Sequence, residues 1–189
     1  MEIKTIFISL AAIAFSLTAC SGTSKNIDNQ TYGKMSLRTA DNNYEQMSER
    51  TLNLKNFHGL SVSTWVDVHY TQGSTYKVLV KGTSLAFKIN DISVRNGILT
   101  VNRSKDSRNI TEGSKITIYV TSPKMDYIEN IGSTTFNAEE FNAGNLKIDN
   151  SGVLKLYVDG IKSTSTNIEN SGSMKGTTSF SGESIKYDN

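Results

Sequence analysis

Ile128-Glu129-Asn130-Ile131-Gly132-Ser133, Ile148-Asp149-Asn150-Ser151-Gly152-Val153 and Ile168-Glu169-Asn170-Ser171-Gly172-Ser173 are three copies of one phrase, and Tyr187-Asp188-Asn189 begins a fourth. The asparagines are spaced 20, 20 and 19 residues apart. A fixed period of this length marks an array whose units bury their apolar faces only against their neighbours. Alignment of the copies puts Ile128, Ile148, Ile168 and Tyr187 in one column, Phe136 and Leu156 in a second, and Phe141 and Ile161 in a third. Short apolar stations rich in β-branched and aromatic residues, closed by Asn, Gly and Ser, predict strands rather than helices. The unit is therefore one coil of a parallel β-solenoid, in which each strand pairs with its equivalent about 4.8 Å above and below. Asn130, Asn150 and Asn170 with Gly132, Gly152 and Gly172 are read as a structural corner ladder. Asn and Gly tolerate left-handed backbone at a tight corner, and stacked Asn side chains can bond to one another.

Ahead of the repeats, Leu60 to Tyr70 alternates apolar and polar residues, the period-two signature of a strand with one buried face. Similar runs at Tyr76–Val80, Phe87–Val94, Ile98–Val101 and Ile116–Val120 predict further strands, and Asn96-Gly97 a hairpin between two of them. These strands are longer and carry no 20-residue echo, so they are expected to form the irregular opening of the same domain. Pro123, the only proline, is expected at a strand edge.

The first twenty residues read as an address. Lys4 precedes the apolar run Ile6–Leu17, which is too short to span a bilayer and fits an export signal. Cys20, the only cysteine, follows Leu17-Thr18-Ala19 and resembles a bacterial lipobox, which implies cleavage after residue 19 and diacylation of the Cys20 thiol. The polar stretch from 20 to 49 is expected to be a tether, and 50–189 a folded head in which 125–189 holds the regular repeats. The fourth copy stops at its corner, so the last coil is expected to be incomplete and open to self-association.

Twenty basic residues face 18 acidic ones, a net charge of +2 that gives no case for nucleic acid. Cations do gather between Lys77 and Lys115, as a solvated strand face or a surface for anionic glycan or lipid headgroups. With two histidines and one cysteine, neither a metal site nor a cofactor site is expected, and no catalytic motif is present. Glu129, Asp149 and Glu169 recur in one column, expected on the solvent side of the corner because stacked like charges repel. Trp65 interrupts the polar face that carries Asp67 and His69, and these three are the candidate ligand contacts, with Trp65 able to stack on a sugar ring.

The opening strand that ends in Phe57, the Val94-x-x-Gly97-x-Leu99 step, the Ile116-x-Ile118-x-Val120-x-x-Pro123 strand and the Asn-Ser-Gly corners together resemble the auto-transporter adhesin head GIN domain family. The resemblance covers nearly everything from Arg50 to Asn189. It implies a right-handed parallel β-helix on an exported protein of Bacteroidetes type, and brings no catalytic residues. The function expected is that of a non-enzymatic cell-envelope lipoprotein, held in the outer membrane at its surface or periplasmic face, that binds glycan or surface protein. A carbohydrate-active β-helix enzyme and a periplasm-facing structural protein are the alternatives.

Overall fold

The computed structural model describes residues 46–105 and 115–189, so the expected signal segment, Cys20 and most of the expected tether lie outside the described residues. The described residues are all-β apart from one short helix. In order it forms β1 (Ser48–Leu52), β2 (Gly59–Val62), β3 (Trp65–Gln72), β4 (Lys77–Gly82), α1 (Ser84–Ile89), β5 (Asn90–Arg95), β6 (Ile98–Arg103) and β7 (Ile116–Ser122). It continues with β8 (Tyr127–Asn130), β9 (Ser133–Ala138), β10 (Phe141–Asn150), β11 (Val153–Val158), β12 (Ile161–Asn170), β13 (Ser173–Thr177), β14 (Phe180–Ser181) and β15 (Ser184–Asp188). Among the described residues no helix is long and apolar enough to cross a membrane.

The repeat becomes register. Ile128 lies beside Ile148, Ile148 beside Ile168 and Ile168 beside Tyr187, all in parallel pairs. Phe136 pairs with Leu156, and Phe141 with Ile161, which in turn meets Phe180. Each column of the aligned sequence is thus a row of neighbouring strands, and its apolar members are buried apart from Tyr187 at the open end. Burying one such Leu, Ile or Phe contributes about 1.5 to 3 kcal/mol, so stacking supplies what a lone unit lacks.

The opening half belongs to the same stack and is interleaved with it. The sheets run β1-β4-β7-β3-β9-β11-β13 and β14-β12-β10-β8-β2-β6-β5. Leu60 lies between Leu99 and Ile128, and Val68 between Ile118 and Phe136. The β2–β3 layer, first in the chain, is therefore inside the stack, between β6–β7 and β8–β9. No 20-residue echo appears there because the partners are far apart in sequence: Ser61 bonds to Glu129 across 68 residues and Ser63 to Asn102 across 39.

Antiparallel strands close that end. β4 pairs with β7 and β1 with β4, while β5 folds back on β6 through Asn96-Gly97, whose φ values of 52° and 77° suit a tight hairpin. The sheets are accordingly mixed rather than purely parallel. β1 starts at Ser48, two residues before the head boundary drawn from the sequence, and Glu49 pairs with Lys81.

Phe87–Val94 is not one strand. Its first part belongs to α1, where the Thr83 hydroxyl accepts the Ala86 N–H at 3.0 Å and caps the helix start. Ala86 and Ile89, three residues apart, bury one face of that turn. The cap and the helical spacing override the strand pattern, which resumes at Asn90.

Between the sheets, Asn130 donates to Asn150 Oδ1 at 2.7 Å, Asn150 to Asn170 Oδ1 at 2.7 Å, and Asn170 to Asn189 Oδ1 at 2.6 Å. The Thr134 hydroxyl donates to Asn130 Oδ1 at the other end. Asn130, Asn150 and Asn170 are all buried. The backbone reason differs from the left-handed one expected: among the described residues positive φ occurs at Asn56, Asn96, Gly97 and Gly176, none of them in the ladder. Glycine is required by closeness. A Cβ on Gly132 would lie 2.2 Å from the Thr64 carbonyl oxygen, one on Gly152 2.1 Å from that of Gly132, and one on Gly172 2.2 Å from that of Gly152.

Candidate functional site

β3 is the fourth of seven strands, so its outward side chains occupy the middle of an open face. Alternation sends Val66, Val68 and Tyr70 inward and Trp65, Asp67, His69 and Thr71 outward. The candidate residues therefore share one face, yet each has its own partner. Lys115 Nζ is 2.7 Å from Asp67 Oδ2 and lies over the Trp65 ring, 5.4 Å from its centroid. His69 stacks on Tyr119 with centroids 4.8 Å apart and planes 14° from parallel. Asp67 and His69 thus form no acid–base pair, and neighbouring strands hold each in place.

Strand register extends the face. Tyr119 lies beside His69, His69 beside Asn137 and Asn137 beside Tyr157, which sets two tyrosines about 14 Å apart at a strand spacing of about 4.8 Å. Asn137 is held flat by a 3.2 Å bond from its Nδ2 to the Val68 carbonyl. Trp65 is 51% exposed, Tyr157 43% and Tyr119 38%, and Val153 at 42% continues the row that Trp65 starts. Lys81 lies 5.2 Å from the Tyr119 centroid and is hydrogen-bonded to Glu49, which raises the pKa of its ammonium group. The row through Asp67 continues as Thr135, Lys155 and Lys175. Among the described residues neither of these lysines has an ion-pair partner.

Such a surface offers aromatic area with hydrogen-bonding groups between the rings. Aromatic faces stack on the C–H face of a sugar or on another protein's side chains, and the Ser, Thr and Asn between them give orientation. Tyr119 and Tyr157 were missed from the sequence, although both occupy outward positions of alternating runs; the signal became decisive only once register placed them beside β3.

The eight-stranded sheet presents a different outer face. Glu129, Asp149, Glu169 and Asp188 are in successive register across β8, β10, β12 and β15. They are not simply bathed in solvent. Glu129 accepts from the Ser61 hydroxyl at 2.5 Å and Asp149 from the Tyr127 hydroxyl at 3.1 Å. Lys147 bridges Asp149 at 3.1 Å and Glu169 at 3.3 Å. Burial, then the charges of Glu129 and Asp149, push the Tyr127 phenol up to about 12, so it remains a donor. Just ahead of β8, in the middle of this sheet, Asp126 is held by His58 at 2.6 Å and by Lys124. Burial alone would raise the Asp126 pKa, but these two partners outweigh it and hold the carboxyl below its usual value. No group of three His, Cys, Asp or Glu side chains among the described residues is arranged to hold a metal ion.

Residues 56–187 match the family model described as "Putative auto-transporter adhesin, head GIN domain". Among solved structures, one described as a "putative adhesin" from Bacteroides fragilis is 20% identical with a TM-score of 0.64, over 70% of this chain and 62% of that one. Another so described, from Parabacteroides distasonis, is 14% identical with a TM-score of 0.50, over 76% of this chain and 70% of that one. At such identities the likeness is one of fold, and this chain spans about three fifths of the length of the Bacteroides fragilis protein. None of the curated proteins matches the chain. With a family match over most of its length, on the same strands that build the two sheets, the chain belongs to the auto-transporter adhesin head GIN domain family.

Proposed function

We propose that this protein is a non-enzymatic binding or adhesion module of the cell envelope, and that it contacts glycan or surface protein through the outer face of the seven-stranded sheet. The observation that carries this reading is the half-exposed Trp65 on the central strand, in one plane with His69, Tyr119 and Tyr157. Large aromatic side chains left open on a flat, rigid sheet are costly to hydrate, and contiguous exposed apolar area marks interaction sites. Rigidity lowers the ordering cost of binding. The family description and the similar structures, described as adhesins, support a surface role.

The parallel 20-residue register of β8 to β15 supports a right-handed β-solenoid for the stack. In the full protein, residues 1–19 are removed on export, Cys20 carries the lipid anchor in the outer membrane, and the segment from 20 to 49 joins it to the head. The Leu17-Thr18-Ala19-Cys20 sequence supports the anchor.

Protease treatment of intact cells, with a periplasmic protein as leakage control and an antibody to the head as readout, tests the placement. Loss of the head from intact cells is the expected result. Protection until the outer membrane is broken would contradict an adhesin and place the binding face in the periplasm.

A further inference from the structure

Lys81 and Lys115, from the stretch in which the sequence gathers cations, are already held by Glu49 and Asp67. Lys155 and Lys175 reach the outer face of the same sheet without a partner. They are 20 residues apart, lie side by side on β11 and β13, and take part in no ion pair among the described residues. The other outward positions of β9, β11 and β13 hold hydroxyl, amide, valine or tyrosine side chains and no carboxylate. Across the sheet, Asp67 lies two strands from Lys155 and holds Lys115. Along the strands, Glu139 and Asp159 come four residues after the row of Thr135 and Lys155, about 13 Å away.

Like charges directly opposite each other on neighbouring strands destabilise a sheet, and elsewhere in this stack that cost is offset. In the acidic column of the eight-stranded sheet, Glu129 has the Ser61 hydroxyl, Asp149 and Glu169 share Lys147, and Asp188 has Lys186. The lysine pair has no such counterpart, although local structure fixes it in place. A Cβ on Gly176 would meet the Leu156 carbonyl oxygen at 1.8 Å, so glycine next to Lys175 is what lets β13 close on β11. Tyr157, two residues and so about 7 Å from Lys155 on the same side of β11, is 43% exposed.

We infer that the ligand of the aromatic face is an acidic polysaccharide, whose acid groups Lys155 and Lys175 bind while Tyr157 takes the sugar ring beside them. The inference rests on the binding role proposed for that face and names the chemical class of its ligand. An acid group between the two ammonium groups relieves their repulsion and accepts charge-assisted hydrogen bonds from both. A uronate carboxylate or a sulfate ester stands close to the sugar ring that carries it, so a ring stacked on Tyr157 brings its acid to the lysines. A neutral sugar leaves the lysine pair as it is. An open sheet face suits a polymer that runs across several strands, and repeated weak contacts along it add up through avidity.

The test is affinity electrophoresis of the full chain with Cys20→Ser through two matched pairs of polymers, polygalacturonate against its methyl ester and dextran sulfate against dextran. Within each pair the sugar backbone is the same and the charge differs. The wild type is expected to bind at least one acidic polymer more tightly than its neutral partner, by about tenfold or more. Preference for polygalacturonate assigns a carboxylate and preference for dextran sulfate a sulfate, and either supports the inference. Lys155→Gln/Lys175→Gln is expected to lose the preference and Lys155→Arg/Lys175→Arg to keep it. Lys55→Gln/Lys88→Gln, which removes the same charge from outside these strands, should leave it unchanged. Lys175→Gln alone, at the more exposed of the two positions, is the second probe should the double variant lose its thermal transition. Binding of none of the four polymers overturns the inference, as does equal binding of charged and neutral polymers. An acid preference that survives in Lys155→Gln/Lys175→Gln, or that falls equally in Lys55→Gln/Lys88→Gln, overturns it too. Equal binding that Trp65→Ala abolishes leaves the aromatic face standing without this inference, whereas Trp65→Ala that binds like the wild type overturns both.

Discussion

The corner between the sheets and the outer face of the seven-stranded sheet belong to the same stack of layers, and they treat their functional groups in opposite ways. At the corner every amide is turned inward and spent on its neighbour: Asn130, Asn150 and Asn170 bond in series, and the glycines let one layer's carbonyls approach the next. On the outer face of the seven-stranded sheet, Trp65, Tyr119 and Tyr157 are left half open. The difference separates stability from recognition. Closed groups hold the layers in register, and open ones, fixed on that register, are available to a ligand.

Substitutions at the corner should therefore cost stability and those on the face should cost binding. Asn150→Ala has the largest expected effect, because it strands the Nδ2 of Asn130 and the Oδ1 of Asn170 together in a buried position. At about 1 to 3 kcal/mol for each buried unsatisfied group, a loss of about 3 kcal/mol is expected from urea unfolding. An effect below about 0.5 kcal/mol would mean that water replaces the ladder. Gly152→Ala comes next: the added methyl must push two layers apart, at a cost of about 2 kcal/mol. Its thermal midpoint should fall without a change in the order of the strands, as read by the far-ultraviolet spectrum.

A smaller effect tests the partners of Asp126. Because His58 and Lys124 hold its carboxyl below the unfolded value of 3.8, the stabilisation is complete above that pH and is lost as the pH falls below it. Asp126→Asn should flatten that part of the acid limb and leave the neutral region of the curve with the same shape. An acid limb identical to that of the wild type would rule out this linkage. Tyr157→Ser has the smallest effect on folding, within about 0.5 kcal/mol as for other exposed sites, yet it should weaken ligand binding if the face works as a unit.

What the sequence discloses divides along the same line. The repeat columns were legible because equivalent residues recur at one fixed step, and parallel pairing turned that step directly into contact: Ile128, Ile148 and Ile168 are neighbours at every level. The ladder asparagines were legible for the same reason, although their glycines answer to carbonyl contact rather than to positive φ. The interleaving of β2–β3 was not legible, since Leu60 meets Leu99 and Ile128 across long, unequal separations that leave no period. α1 was hidden by six residues whose apolar pattern suits a strand as well as a helix, and only the Thr83 cap decides between them. In the candidate site, Trp65, Asp67 and His69 were visible as one alternating run. Their partners Lys115, Tyr119 and Tyr157 come from β7, β11 and the residue just ahead of β7, so the face exists only after the strands have paired.

The most direct measurement of the central claim is affinity gel electrophoresis of wild type and Trp65→Ala through a panel of neutral and acidic polysaccharides, with the thermal midpoint of each protein recorded alongside. The prediction is that at least one polysaccharide retards the wild type, that Trp65→Ala loses that retardation by about tenfold in affinity, and that the two midpoints agree. Equal retardation of the two proteins at equal stability would contradict the aromatic face as the binding surface.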